Sequence, residues 1–260
     1  MNSHITPEKS LITMNDVFPY RPFCFFLWKL AALMVFCGCN GIFTGDDGEI
    51  IRKEVSLNEY RYISIYGIYN LILKQDTAHK LTMEGPADVI DDIKVQVIDD
   101  TLVIRDIHKD LFRIEEKPVL YLQFADLACL CTYNPAKVTN EDTLKLDRFY
   151  YYPIGEIGEA SLTVECNFFG LDNSANTLGR FHIRGRTHTA KFFNRYGSSI
   201  YADSLVSQIV QVFNESAGDV YVNAVELLEI YIWGPGNIYY SGNPVIEIVE
   251  KKDSGQVSKI

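Results

Sequence analysis

From Glu54 onward, apolar and polar residues alternate over short runs, and turn residues break the pattern every few positions. A period of two sends successive side chains to opposite faces of an extended chain, so the pattern predicts strands. Residues 62–67, 69–74 and 80–84 are the first three such runs. A short helix is expected near residues 86–92, because Pro86 suits a first helical turn. Residues 94–98 and 101–104 flank Asp99-Asp100 and read as a hairpin, and residues 117–124 begin a further strand.

The C-terminal half repeats itself. Ala190-Lys191-Phe192-Phe193-Asn194, Val210-Gln211-Val212-Phe213-Asn214 and Ile230-Tyr231-Ile232-Trp233-Gly234 follow one another at an offset of 20 residues. This offset puts Ala190, Val210 and Ile230 in one inward column and Phe192, Val212 and Ile232 in another, with Lys191, Gln211 and Tyr231 outward. Each segment leads through Gly or Ser into a second short strand carrying Ile200-Tyr201, Val220-Tyr221 or Ile238-Tyr239. Two strands per period with Gly at the corners is the pattern of a solenoid, whose coils stack because none can bury its apolar face alone. The expected fold is all-β, a parallel β-helix with coils of about 20 residues. Asn194 and Asn214 at equivalent corners are expected to form an amide ladder. Residues 162–166 and 181–183 alternate correctly at a different spacing, which a loop at residues 173–177 would absorb. An antiparallel sandwich is the competing architecture, and it needs no fixed register.

The N-terminus has a different pattern. Residues 23–36 are apolar apart from Lys29, and Arg21 precedes them. That run is shorter than the roughly 20 residues a membrane span needs. A basic start, a short apolar core and a small residue before the cut describe a secretory signal. Phe36-Cys37-Gly38-Cys39 resembles the lipobox of a bacterial lipoprotein, with Gly38 before the cut and Cys39 as the acylated residue; Phe36 departs from the usual Leu, and an uncleaved N-terminal anchor or an ordinary cleaved signal is the alternative. The expected organisation is a signal peptide over 1–38, an acidic tether over 39–51 and a domain over 52–260. The membrane would then be a partner through the lipid anchor. Asp46, Asp47 and Glu49 resemble the acidic signal that sends some lipoproteins to the cell surface, and they also read as a plain acidic linker.

The turn Gly234-Pro235-Gly236-Asn237-Ile238-Tyr239 and the following Tyr240-Ser241-Gly242-Asn243-Pro244 resemble the head GIN domain family of auto-transporter adhesin-like proteins. Pro235 replaces the usual Ser. The opening strands from Tyr62 and the Asp99-Asp100 hairpin extend the likeness over residues 52–260. The resemblance implies a right-handed β-helix on an exported, often lipid-anchored protein with an adhesin-like role. It supplies no catalytic residues and no cofactor.

Composition and charge narrow the chemistry. The chain has 260 residues and a net charge of −10, which argues against general nucleic-acid binding. Removing residues 1–38 would take away one more basic than acidic residue and leave the chain more acidic still. Cys129 and Cys131 share one face of a strand and read as small buried filler, and Cys166 is the one obvious candidate for a further metal ligand beside them. Two further ligands would be needed for zinc, so neither a metal nor a cofactor is expected. There is no G-x-S-x-G elbow, H-E-x-x-H or P-loop, and no spacing singles out a catalytic pair among Asp203, Asp219, Glu226 and Glu229.

Two surface features stand above this background. In Arg180-Phe181-His182-Ile183-Arg184-Gly185-Arg186, alternation turns Arg180, His182, Arg184 and Arg186 outward. Such a stripe would hold an anionic glycan, sulfate or phosphate by charge-assisted hydrogen bonds, or be a solvated face paired with nearby acids. Tyr201, Tyr221 and Tyr239 occupy equivalent outward places and suit either sugar rings or one another as a ladder. The expected function is a non-enzymatic, adhesin-like binding lipoprotein of the outer membrane, facing the cell surface and taking glycans. A β-helix enzyme that degrades polysaccharide is the alternative.

Overall fold

The computed structural model describes residues 49–106, 117–155, 157–173 and 177–260. The expected signal peptide, the lipidation site Cys39 and the tether up to residue 48 lie outside the described residues. The strands are β1 (Ile50–Ser56), β2 (Tyr62–Tyr66), β3 (Tyr69–Gln75) and β4 (Lys80–Pro86), followed by the helix α1 (Ala87–Asp92). Next come β5 (Ile93–Ile98), β6 (Thr101–Asp106), β7 (Val119–Phe124), β8 (Cys129–Thr132) and β9 (Ala136–Asn140). The longer strands β10 (Leu144–Pro153), β11 (Ile157–Asp172), β12 (Leu178–Tyr196), β13 (Ser199–Ser216) and β14 (Val220–Ile232) form the main coils. β15 (Ile238–Ser241), β16 (Val245–Lys251) and β17 (Val257–Lys259) end the chain. β1 starts at Ile50, two residues inside the segment expected to be tether.

These strands form one continuous sheet wound into a β-solenoid of about six turns. From β8 onward the pairings are parallel, each strand lying on the one a coil later. The opening coil, β2 with β3, lies between two others. β6 and β7 pair with its outer side, β8 and β9 with its inner side, all in parallel. Antiparallel strands cover the first end: β4 on β7, β1 on β4 and β5 on β6. The β5–β6 turn sits on Asp99 and Asp100, both at positive φ (46° and 65°), as an I′ hairpin requires. Capping of this kind matters because a terminal coil otherwise exposes its apolar face and an unpaired edge.

The core is a set of inward columns. Leu71, Val138, Ala160, Phe181, Ile200, Val220 and Ile238 stand in register on successive strands, and all are buried. Each such side chain removed from water contributes roughly 1.5–3 kcal/mol, less for Ala, so every coil is stabilised chiefly by its neighbours.

The register corrects the expected offset. Ala190 pairs with Val210 and Phe192 with Val212, 20 residues apart as expected. One coil later Val210 pairs with Leu228 and Val212 with Ile230, so Val210 is not in line with Ile230. The cause is a break in pairing between Ala202 and Val206: β13 carries extra residues at that corner, and the offset falls from 20 to 17 and settles at 18. A net slip of two keeps inside and outside unchanged, which is why the expected inward residues are all buried.

Candidate functional site

The corners decide which side chains share a face. At one corner Asn194 is wholly buried: its Nδ2 donates to the Asn214 Oδ1 (2.9 Å) and the Ser198 carbonyl (2.9 Å). Asn173 donates to Asn194 (3.3 Å) and adds a third rung. The expected ladder therefore runs through three coils, and Asn173 is one of its members and not loop filler.

At another corner stands Gly185, with φ +114°. A Cβ there would lie 2.0 Å from the Val164 carbonyl oxygen, so only glycine fits. The chain bends at this residue, and the bend divides the expected cationic stripe. Arg180 and His182 lie before it and line an open groove of about 250 Å³ with Lys137, Glu159, Ala160 and Ser161. Arg186 lies beyond it in a second, larger groove of about 490 Å³ with Lys145, Glu165 and His188 among its walls. Arg184 lines neither. All four side chains are exposed as expected. Glu159 and Glu165 stand beside Arg180 and Arg186 in register, yet among the described residues Arg180, Arg184 and Arg186 have no ion-pair partner.

Before the bend, the two expected features merge into one. His182, Tyr201, Tyr221 and Tyr239 occupy one outward column on β12, β13, β14 and β15. Their rings stack continuously: His182 on Tyr201 at 4.6 Å and 7°, Tyr201 on Tyr221 at 5.2 Å and 12°, Tyr221 on Tyr239 at 4.8 Å and 16°. Stacking commits the inner faces of these rings to one another. What the column offers a ligand is a row of ring edges and phenol oxygens, plus the outer face of the ring at each end. The Tyr221 phenol is held above its ordinary pKa, first by desolvation and then by Asp219. At the His182 end the ladder opens directly into the groove of Lys137 and Arg180.

A second ladder escaped the sequence reading. Phe193, Phe213 and Tyr231 stack at 4.3 Å per step on a different outward column. Lys191 lies over Phe193 and Phe213, and Lys252 over Trp233 beside them. The equal spacing of Phe193 and Phe213 was a usable signal, but Tyr231 comes 18 residues later and a strict 20-residue register pairs Phe213 with Trp233 instead. Lys191 thus already occupies the Phe193 and Phe213 faces of this ladder.

Two of the four carboxylates weighed for catalysis are tied into the fold. Asp219 accepts from the Asn237 amide (2.8 Å), and Glu229 accepts from Gln211. Among the described residues no three His, Cys, Asp or Glu side chains converge as metal ligands. Cys129, Cys131 and Cys166 are half-buried free thiols, so Cys129 and Cys131 are less buried than expected.

Residues 59–244 match the family described as "Putative auto-transporter adhesin, head GIN domain". The chain belongs to this family. A head GIN protein of this kind is adhesin-like and belongs to the cell surface or envelope. Solved structures share the fold. One is a Bacteroides fragilis protein described as a putative adhesin, with a TM-score of 0.76 and 22% identity, covering 82% of this chain and 97% of that one. A Parabacteroides distasonis protein described as a putative lipid binding protein has a TM-score of 0.62 and 17% identity, covering 82% and 98%. A Parabacteroides merdae protein described as a putative adhesin has a TM-score of 0.59 and 13% identity, covering 82% and 97%. Among curated proteins no match is found.

Proposed function

We propose that this head GIN protein is a non-enzymatic surface lipoprotein, anchored through an acylated Cys39, that binds an anionic glycan along the His182–Tyr239 face. One observation carries the reading: Arg180, which has no ion-pair partner among the described residues, and Lys137 line a groove that opens onto the ladder's free end. An acidic sugar seated there would receive charge-assisted hydrogen bonds from the guanidinium, while the outer face of His182 offers an apolar platform. The polymer would then run along the phenols of Tyr201, Tyr221 and Tyr239, one rung per coil. Glu159 in the same groove would take sugar hydroxyls and disfavour ligands that are uniformly and densely charged. The acidity of the protein as a whole makes this local basic site selective, because anions are repelled elsewhere on its surface.

The direct test is a glycan array probed with the intact protein at low and physiological salt. Acidic polysaccharides should be retained over neutral ones, with retention falling as salt rises. Equal retention of neutral and acidic glycans, or silence across the array, would reject the ligand class.

A further inference from the structure

Strand β12 carries one constellation twice. Arg180 and Arg186 are six residues apart, as are His182 and His188, and as are Glu159 and Glu165 on β11. An even offset keeps both sets on the outer side of their strands. Lys137, Glu159 and Arg180 stand in register on β9, β11 and β12, and Lys145, Glu165 and Arg186 on β10, β11 and β12. Each column therefore runs lysine, glutamate, arginine, with a histidine two residues beyond the arginine. The bend at Gly185 lies between the two copies, and each lines a groove of its own.

The copy before the bend is the groove read above as an acidic-sugar site. The copy beyond it has the larger groove, about 490 Å³, within the roughly 300–1,000 Å³ that small-molecule sites occupy. Lys145, Glu165, Arg186 and His188 are all exposed. Neighbouring strands lie about 4.8 Å apart, so Glu165 sits one rung from each fixed cation. Even so, none of these four side chains has a hydrogen-bond or ion-pair partner among the described residues. The floor is different: Cys166 Sγ donates to the Thr187 hydroxyl (3.6 Å), which donates to the Thr189 carbonyl (3.1 Å). The free hydrogen-bonding capacity of this groove thus lies on its charged walls.

We propose that the groove of Lys145, Glu165, Arg186 and His188 is a second binding site for an acidic sugar. The inference rests on the reading of the first groove and extends it across the bend. Arg186 and Lys145 donate charge-assisted hydrogen bonds to the carboxylate, and Glu165 accepts from hydroxyls of the same sugar. A bare anion gains nothing from Glu165 and is repelled by it, so the site favours anions that also carry hydroxyls. His182 is backed by the stacked ring of Tyr201, whereas His188 has no ring stacked on it among the described residues. The second groove therefore holds a sugar more weakly, and loss of the first still removes most of the binding.

Cys166 lies in the floor of this groove and is a free thiol, whereas Cys129 and Cys131 line neither groove. Its reactivity therefore reads the second site alone. The full chain is labelled with N-ethylmaleimide, with and without a hyaluronan octasaccharide, which alternates a uronic acid with a neutral sugar, and each thiol is followed by peptide mass spectrometry. Saturating octasaccharide should slow Cys166 several-fold and leave Cys129 and Cys131 unchanged. Protection should fall as salt rises and vanish in Arg186→Ala with His188→Ala. The octasaccharide with its carboxyls reduced to alcohols should not protect, nor should sodium sulfate at equal ionic strength. Should the variant misfold, these two controls decide on the parent chain. Protection should persist in Arg180→Ala with Tyr201→Ala, so failure of the first groove leaves the second standing. An unslowed Cys166 overturns the proposal, and retention of the octasaccharide in that case leaves the first reading intact. Equal protection by the reduced octasaccharide or by sulfate, equal slowing of all three thiols, or protection that survives Arg186→Ala with His188→Ala overturns it as well.

Discussion

Asn194 shows how much of this fold rests on single buried polar groups. It donates to Asn214 and the Ser198 carbonyl and accepts from Asn173, all out of reach of water. Asn194→Ala would strand several of these partners, each at a cost of about 1–3 kcal/mol. The urea midpoint should therefore fall substantially while far-UV dichroism of the folded protein stays the same; an unchanged midpoint would mean that the ladder is ornamental. The sequence showed two of its rungs because Asn194 and Asn214 have the period of the coil. The third, Asn173, was hidden because it stands 21 residues before Asn194, off the 20-residue period. Trp233 offers a second residue-level test. Its Nε1 donates to Glu250 (2.7 Å), whose other oxygen meets Lys252 (2.9 Å). These bonds, Lys252 first, lower the Glu250 pKa below its ordinary value. A depressed carboxylate stabilises the fold above its unfolded-state pKa, and that contribution is lost as pH falls through the folded value. Trp233 fluorescence should accordingly hold steady through the ordinary carboxylate range and shift only at more acid pH. Glu250→Gln should abolish that shift, and its persistence in the variant would refute the assignment.

At the scale of elements, strand identity was readable and register was not. Alternation marks which residues of β12, β13 and β14 face inward, and a slip of two residues leaves that marking intact. It changes lateral partners, however, and so Tyr231 stacks on Phe213 while Glu229 meets Gln211. Asp203, Ser204 and the buried Leu205 drop out of the pairing with β14 while Ser204 and Leu205 keep theirs with β12, a one-sided break that alternation along β13 alone could not reveal. The bend at Gly185 had a signal, a lone glycine inside a strand pattern, and it is what separates Arg186 from Arg180 and His182. Within the ladder, Tyr221 has stacked neighbours on both sides. Tyr221→Ala should cost about 1–3 kcal/mol for the two lost ring pairs, whereas Tyr239→Ala, at the end of the column, should cost about half as much. Thermal unfolding of the two variants checks the ratio; equal losses would show that the rings pack on the sheet and not on each other.

For the whole molecule, stacking coils of similar length produce long outward columns, and a column is what an extended polymer can follow. The antiparallel strands at the first end keep that stack from exposing its opening coils. Lipid attachment at Cys39, a short way ahead of β1, would hold the coils close to the membrane, and several acyl chains on one residue give stable anchoring at roughly 0.8 kcal/mol per buried CH₂. Mass spectrometry of the mature N-terminus should find an acylated Cys39 and no trace of residues 1–38; a free N-terminus at any other position would contradict the anchor. Family and solenoid could be read from the chain because each depends on local pattern. Which exposed groups converge could not, because convergence depends on register and bends.

The measurement that bears most directly on the account is the binding of an acidic polysaccharide to matched ladder variants. Arg180→Ala with Tyr201→Ala alters the face that opens into the groove, and Phe193→Ala with Phe213→Ala alters the ladder under Lys191. Loss of binding in the first double variant alone, with the second binding like the parent, is the expected result. Equal binding by the first variant and the parent, or loss confined to the second, would contradict it.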